Sequence, residues 1–147
     1  MSFSPDIRVY SADGNLQLVA EVKGVIDTDS TWAAQYRSNL LNGQVFPLSP
    51  YFLLVASDHI YLWKNVTSLA AVEPTAQGDT KAVLGSYLPS RETPLSTSSL
   101  EIVVRFWLSA LTYLQSSAYE GDAKRLLLDT GLRDAIHSGS MAYETVQ

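Results

Sequence analysis

The chain contains no cysteine, and this absence excludes several kinds of chemistry. A disulfide framework, a thiolate nucleophile and a cysteine-based zinc or iron–sulfur site all need that residue. The lack of cysteine also fits a reducing compartment, and the opening residues MSFSPDIRVY do not combine a basic segment with an apolar one, as a secretory signal does. We therefore expect a cytoplasmic protein.

Positive charge is also scarce. Ten Lys and Arg residues stand against fifteen Asp and Glu residues, which gives a formal net charge of −5. Proteins that bind nucleic acid without sequence preference usually have the opposite balance, so any contact with DNA must use a local patch. No apolar run approaches the ~18 residues that cross a bilayer, so we expect no membrane contact.

The remaining composition is that of a globular protein. The chain has 147 residues, of which 46% are hydrophobic and 17% are charged, and this length suits one domain with a sizeable core. We predict a single α/β domain over residues 1–147, with a core motif region at 5–64 and a helical C-terminal part at about 99–139.

Two hairpins are predicted in the first half of the chain. Asp13-Gly14 lies between two alternating runs, which indicates strands at about 6–12 and 15–23 joined by a two-residue turn. The runs at 51–55 and 60–63 are apolar on both faces, so the second hairpin should lie at the centre of the sheet, covered on each side. A helix at about 32–41 separates the two hairpins.

Signals for shorter elements are weaker in the second half. Asp79 is a candidate cap for a short helix that reaches Leu88, whereas residues 66–78 show no clear pattern. The C-terminal part predicts a helix interrupted at Gly131, followed by a last short strand at about 141–146.

The most apolar helix is predicted from about residue 99 to 115, with the segment from Ser98 to Glu101 as its capping box. Its apolar residues cover most of the helix surface. We expect this helix to be buried nearly all round, in part by a second copy of the chain in a homodimer.

The polar stripe of this helix is narrow and consists of Glu101, Arg105 and Thr112. Leu108 lies beside that stripe, where a monomer would normally have a charged or small residue. Leu108→Glu is therefore the substitution expected to dissociate the homodimer.

The first hairpin brings three chemically active residues together. If Asp13-Gly14 form the turn, the residue numbers of each cross-strand pair add to 27, and Asp6 faces Glu21. Side chains alternate between faces along a strand, so Lys23 shares the face of both carboxylates. Directly opposed Cβ atoms lie ~4.5–5.5 Å apart, which lets both acids bind one divalent cation.

This arrangement has two interpretations. Opposed like charges destabilise a sheet unless a cation or a shared proton relieves them, and oxygen ligands of this kind suit Mg²⁺, with Lys23 placed to orient a nucleophile or neutralise developing charge. Alternatively, Asp6, Arg8, Glu21 and Lys23 form a solvated ladder of alternating charge, in which each exposed pair is worth ~0–1 kcal/mol.

The order of these residues has a known counterpart. Pro5-Asp6, then fourteen residues, then Glu21-Val22-Lys23 at the end of a hydrophobic strand resembles the PD-(D/E)XK restriction-endonuclease-like superfamily. The runs at 18–23, 32–37, 50–55 and 61–64 are similar to a group of uncharacterised small bacterial proteins of that type. The resemblance covers about residues 5–64.

The resemblance implies a restriction-endonuclease-like mixed sheet flanked by helices, with Mg²⁺ or Mn²⁺ as the cofactor. The implied metal ligands are Asp6, Glu21 and the main-chain carbonyl of Val22, with Lys23 as the catalytic lysine. The residues expected to contact the substrate are Arg8, Gln35 and Arg37. Many members place a helix with a further acidic ligand before the Asp strand; here only residues 1–4 precede that motif, so either a later helix fills the place or the layer is absent.

The expected function is therefore that of a metal-dependent nuclease that hydrolyses a phosphodiester bond in DNA. The alternative is a nuclease-like module without activity that serves as an oligomerisation or protein-binding domain. A histidine metal site has little support, because His59 and His137 are far apart in sequence and have no cysteine partner.

Overall fold

One mixed β-sheet organises the chain. The computed structural model describes residues 5–43, 47–89, 95–113 and 119–143. Its strands are β1 (Ile7–Tyr10), β2 (Leu16–Lys23), β3 (Tyr51–Ala56), β4 (His59–Lys64), β5 (Ala76–Asp79) and β6 (Ser140–Tyr143). The order across the sheet is β5-β4-β3-β2-β1-β6. β2 and β3 run parallel, and the other neighbours run antiparallel.

Helices flank this sheet on both faces. Within the described ranges they are α1 (Ser30–Gly43), α2 (Thr80–Leu84), α3 (Thr97–Tyr113), α4 (Gly121–Lys124) and α5 (Leu132–Ile136). A 3₁₀ turn follows α2, and a π-helical turn at Arg125–Asp129 follows α4. The predicted single α/β domain is confirmed. None of these helices combines the length and apolar character that spanning a bilayer requires.

The core consists of two layers separated by the sheet. On one face, α1 contributes Ala33, Leu40 and Leu41, which belong to a cluster with Phe52 and Trp63. On the other face, α3 and the helical elements around it cover a larger cluster. The hairpin of β3 and β4 supplies both clusters, so its predicted central position with cover on each side is confirmed.

The first hairpin has the predicted register, but its turn and its strand pairing differ from the prediction. Its turn is one residue longer than expected, because Ser11 and Asn15 close it through a hydrogen bond of 2.8 Å from the Ser11 N–H to the Asn15 carbonyl. Tyr10 then pairs with Leu16, but Val9 pairs with Leu18, so Gln17 is an extra residue in β2. This bulge offsets the longer turn, and the pairs from Val9 back to Ile7 have the expected register.

The long helix differs from the prediction at its start and in its orientation. It begins at Thr97, and the Ser96 Oγ accepts a hydrogen bond from the Ser99 N–H, so Ser96 is the cap and the predicted capping box is wrong. Leu108 and Thr112 face the core, at 0% and 7% exposure. Leu108→Glu would therefore unfold the monomer, and the choice of Leu108 as a dimer residue is wrong.

Other predicted elements agree with the structure. The Asp79 side chain caps α2 by accepting hydrogen bonds from two backbone N–H groups. Gly131, at a φ of 79°, interrupts the C-terminal helical segment as predicted. β5 forms within the segment that showed no clear pattern. The predicted strand at 141–146 is observed as β6 up to Tyr143. Its remaining residues, and residues 114 and 115 of the predicted long helix, lie outside the described ranges.

Gly24 allows α3 to pack closely against the end of β2. Its N–H donates to the Thr97 Oγ1 at 2.9 Å, and a Cβ built on Gly24 would lie only 2.6 Å from the Thr97 backbone nitrogen. Backbone atoms on both sides form this contact, so no side-chain rotation can relieve it. A glycine is therefore required where β2 leaves the sheet.

Gly24→Ala is expected to lower the free energy of unfolding by about 1–3 kcal/mol, because the added methyl group would force α3 away from β2. Urea unfolding measures this loss. Gly43→Ala is the control, since a Cβ there meets nothing within 4 Å and should be tolerated. Equal losses in the two variants would contradict the proposed packing constraint.

Candidate active site

Asp6 and Glu21 meet where β1 begins and β2 approaches its end. The Asp6 N–H donates to the Glu21 Oε1 at 3.0 Å, and the Val22 N–H donates to the Asp6 Oδ2 at 2.8 Å. Each carboxyl group is thus held by a backbone N–H of the other strand. The predicted pairing of Asp6 with Glu21 agrees with these contacts, and Glu21 is only 5% exposed.

A third carboxyl group comes from α3. The Glu101 side chain is hydrogen-bonded to that of Asp6, and the Arg105 Nη2 lies 2.9 Å from the Glu101 Oε2. Sequence reasoning assigned Glu101 to helix capping and did not include it in the site. The sequence feature that could have indicated this role is the acid–base pair at positions 101 and 105 on an otherwise apolar helix. A later helix does fill the place beside Asp6.

These carboxyl groups hold protons more strongly than usual. Burial, the charge of Asp6 and, more weakly, the charge of Glu101 together raise the pKa of Glu21 to about 8. Burial also raises the pKa of Asp6 and of Glu101, although the Val22 N–H and Arg105, respectively, oppose the increase. In the absence of a cation, shared protons therefore relieve the repulsion within the cluster.

α1 covers the carboxyl groups from the sheet face that carries Glu21. Burial raises the pKa of the Tyr36 phenol, and the charges of Glu21 and Asp6 raise it further, so this side chain lies within electrostatic reach of both. The connection before α1 is fixed because Thr28 donates to Asp58 through its N–H at 2.8 Å and its hydroxyl at 2.7 Å. These hydrogen bonds hold the segment before α1 against the turn between β3 and β4.

The predicted basic residues do not form ion pairs with the carboxyl groups. Lys23 is exposed as the last residue of β2, two positions from Glu21 and therefore on the same face. Arg8 is half-buried, and its Nε has no hydrogen-bond partner among the described residues. The ion pairs of the described ranges include neither Arg8 nor Lys23. A ladder of alternating charge is thus absent from this part of the chain.

The two α1 residues expected to contact substrate have other partners. The Gln35 Nε2 donates to the Asn39 Oδ1 at 2.9 Å on the exposed surface of the helix. Arg37 is 2% exposed and donates to the Val66 and Ser68 carbonyls at 2.9 and 3.1 Å. Its guanidinium also lies near two aromatic rings of the core. The structure therefore brings neither side chain into contact with the carboxyl groups.

The cluster does not have the form of a completed metal site. Within the described ranges, no group of three or more His, Cys, Asp or Glu side chains is arranged to hold a metal ion. The carboxyl groups of Asp6, Glu21 and Glu101 are occupied by one another, by backbone N–H groups and by Arg105. A cation at this position would have to replace shared protons.

Comparison of the chain with family models, with curated proteins and with solved structures finds no match.

The buried carboxyl group of Glu21 should make the fold less stable as the pH rises. The folded protein keeps a proton on Glu21 up to a pH of about 8, whereas the unfolded chain loses it near 4.5. Stability should therefore fall across that interval, by at most about 1.4 kcal/mol per pH unit from this group. Glu21→Gln should reduce the slope and be more stable than the wild type at pH 8.

Urea unfolding at several pH values tests this expectation. Glu73→Gln is the matched control, because Glu73 is exposed and its substitution should leave the slope unchanged. Asp6 and Glu101 also have raised pKa values and should contribute the slope that remains in Glu21→Gln. The same slope in the wild type and in Glu21→Gln would contradict the assignment.

Proposed function

We propose that the cluster of Asp6, Glu21 and Lys23 is the centre of a metal-dependent nuclease that hydrolyses a phosphodiester bond in DNA. The observation that carries the proposal is the part-buried contact between Asp6 and Glu21, whose repulsion the neighbouring backbone N–H groups offset only in part. Strongly perturbed carboxyl groups of this kind concentrate at functional sites. The order of the motif residues along the chain supports the same function.

The donor atoms fit a hard divalent cation. Asp6 and Glu21 offer carboxylate oxygens, and the N–H and carbonyl of a strand residue point toward the same neighbouring strand. Because the Val22 N–H donates to Asp6, the Val22 carbonyl also points toward the side of β2 on which Asp6 lies. These three groups would hold Mg²⁺ or Mn²⁺, which acidifies a bound water and binds a phosphate oxygen. Lys23 would orient the nucleophile or neutralise charge that develops on the phosphate.

The positive patch available to DNA is small. Arg37 is buried on loop carbonyls and Gln35 is bonded to its own helix. Arg8 and Lys23 are then the basic residues that remain for phosphate contacts from the predicted set. Affinity for DNA should therefore depend on the cation, and it should fall only gently as the salt concentration rises, because few phosphates are neutralised. The absence of cysteine supports a reducing compartment, and we propose the cytoplasm.

A second candidate function belongs to a different class. A nuclease-like module without cleavage activity would act by oligomerisation or by binding another protein. The observation that favours it is the apolar surface of α3, where Phe106 is 66% exposed. A homodimer through this helix is the assembly we propose in that case, and the same assembly would double the positive patch of an active enzyme.

Mg²⁺ or Mn²⁺ should stabilise the folded protein, because the ion binds the assembled carboxyl groups and not the unfolded chain. At a concentration of 100 times Kd, the expected gain is about 2.7 kcal/mol. The gain should be larger at pH 8 than at pH 6, since the ion competes with the protons of the cluster. Thermal unfolding with and without the ion gives the measurement. Glu21→Gln should lose the stabilisation and Glu73→Gln should keep it; equal gains in both variants would place the ion elsewhere.

Purified protein should cleave plasmid DNA only in the presence of Mg²⁺ or Mn²⁺. Lys23→Ala should reduce cleavage by at least 100-fold without weakening the stabilisation by metal, because Lys23 acts on the reacting groups and does not hold the ion. Lys81→Ala, an exposed lysine on α2, is the control. Stabilisation by metal without cleavage in the wild type would favour the second candidate function.

A further inference from the structure

The outer face of α3 is an exposed apolar stripe. Ile102, Phe106 and Tyr113 are 50%, 66% and 68% exposed, and the half-buried Ser109 lies between the last two. Spacings of four, three and four residues place these four side chains on one side of a helix. Together they form the outer stripe of α3. The opposite side of α3 packs into the core, so the helix does not need the outer stripe for its own folding.

We propose that the outer stripe binds a second copy of this chain, with the two α3 helices antiparallel about a two-fold axis. The distribution of charge permits this occupant at the outer stripe. The chain has a net charge of −5, so two copies repel each other except where they meet through an uncharged surface. The outer stripe has no charged residue, and the nearby Glu101 is turned toward Asp6 and paired with Arg105.

The outer stripe is also complementary to itself. In a symmetric antiparallel contact, each residue of one copy faces a residue of the other copy, and the two residue numbers add to the same sum for every pair. A total of 215 pairs Phe106 with Ser109 of the other copy, and Ile102 with Tyr113 of the other copy. The large Phe106 ring then lies over a small side chain, twice by symmetry. An apolar pair extends the contact on each side of the axis.

Neighbouring aromatic residues enlarge this surface. Tyr143 is 44% exposed, and the Arg105 guanidinium lies 4.1 Å from the centre of its ring. Tyr87 is 38% exposed, and the nearby Tyr113 contributes to the increase in its pKa, after burial and Tyr119. A whole aromatic side chain presents ~150–250 Å², and the four exposed aromatic side chains of this surface are 38% to 68% exposed, so they supply roughly 400–500 Å² toward the ~800 Å² per partner of a stable interface. Aromatic and Arg side chains are the types enriched there.

A membrane surface is a less suitable occupant. Helices that lie on anionic bilayers carry Lys or Arg beside their apolar face. Arg105 flanks the outer stripe but is already paired with Glu101, and the chain as a whole is acidic. Nucleic acid is disfavoured at this face for the same reason.

Sedimentation velocity from about 5 to 500 µM tests the state of assembly. The wild type should be a dimer at the upper end, and Phe106→Glu should raise the dimer dissociation constant at least 100-fold. The fold should survive, because Phe106 is exposed. Ile26→Glu is the matched control, since Ile26 is 53% exposed in a different part of the fold, and it should leave the dimer intact. A wild-type monomer at 500 µM, or equal weakening by both variants, would overturn the proposal.

Engineered cysteines test the orientation, since the chain has none of its own. With the axis between positions 106 and 109, the two Ser109 residues lie ~4–5 Å apart along the helix direction, whereas the two Ser99 residues lie ~25 Å apart. Ser109→Cys should therefore form an intermolecular disulfide under mild oxidation, and Ser99→Cys should not.

Both serine substitutions leave the apolar residues of the outer stripe unchanged. Cross-linking of both variants would indicate parallel helices, and cross-linking of Ser99→Cys alone would indicate an antiparallel contact centred nearer residue 99. Either result would overturn the proposed register. A wild-type monomer that instead sediments with phosphatidylcholine vesicles would identify a lipid surface as the occupant and overturn the proposal.

Discussion

Burial of the central strands on both faces is the constraint on which the rest of the structure depends. β2 and β3 run side by side in the middle of the sheet, and apolar residues of both strands face α1 on one side and α3 on the other. Neither helix can be removed without exposing a core layer. Glu21 lies in this central pair and is therefore buried wherever its side chain points. The position of the acidic residue follows from the packing of the strands around it.

A buried acidic residue lowers the stability of the fold. Replacing a buried ionic group by a well-packed apolar one is often neutral or stabilising, and a leucine in β2 would satisfy the packing of a central strand. Instead, the chain surrounds Glu21 with Asp6 and Glu101, which make its ionisation still less favourable. Hydrogen bonds from Asp6 and Val22 hold the geometry in place. Under the proposed function the cluster would exchange a proton for a cation, which would account for an acidic residue at a position where an apolar one would pack.

The sequence contained enough information for the first four strands of the sheet but not for β5 or for local details. The Asp6 to Glu21 pairing was predicted on the assumption of a two-residue turn, and a longer turn with a bulge at Gln17 led to the same register. These two deviations compensate because the strand faces must keep their apolar sides toward the core. The alternation of apolar and polar residues along a strand determines which face is buried, but it does not determine the length of the turn.

The site residues divide in the same way. Strand alternation was sufficient to place Lys23 on the face of β2 that carries Glu21, since residues two apart on a strand share a face. Glu101 and Arg37 depend on how helices dock, and a helix pattern alone does not specify the docked partner. Arg37 instead donates to carbonyls of the loop after β4. The phase of α3 was misjudged for a related reason, because nearly every side of that helix is apolar and the pattern does not show which side faces solvent.

α3 connects the two proposals through a single basic residue. Arg105 pairs with Glu101 on the side of the carboxyl cluster and lies against the Tyr143 ring beside the outer stripe. A cation that replaced the shared protons would leave Glu101 ionised, and its attraction to Arg105 would then increase. The contact between Arg105 and the Tyr143 ring would change as the attraction to Glu101 increases, because one guanidinium group makes both contacts. Metal binding and assembly are therefore expected to influence each other through this residue, in amounts set by how strongly Arg105 prefers the charged form of Glu101.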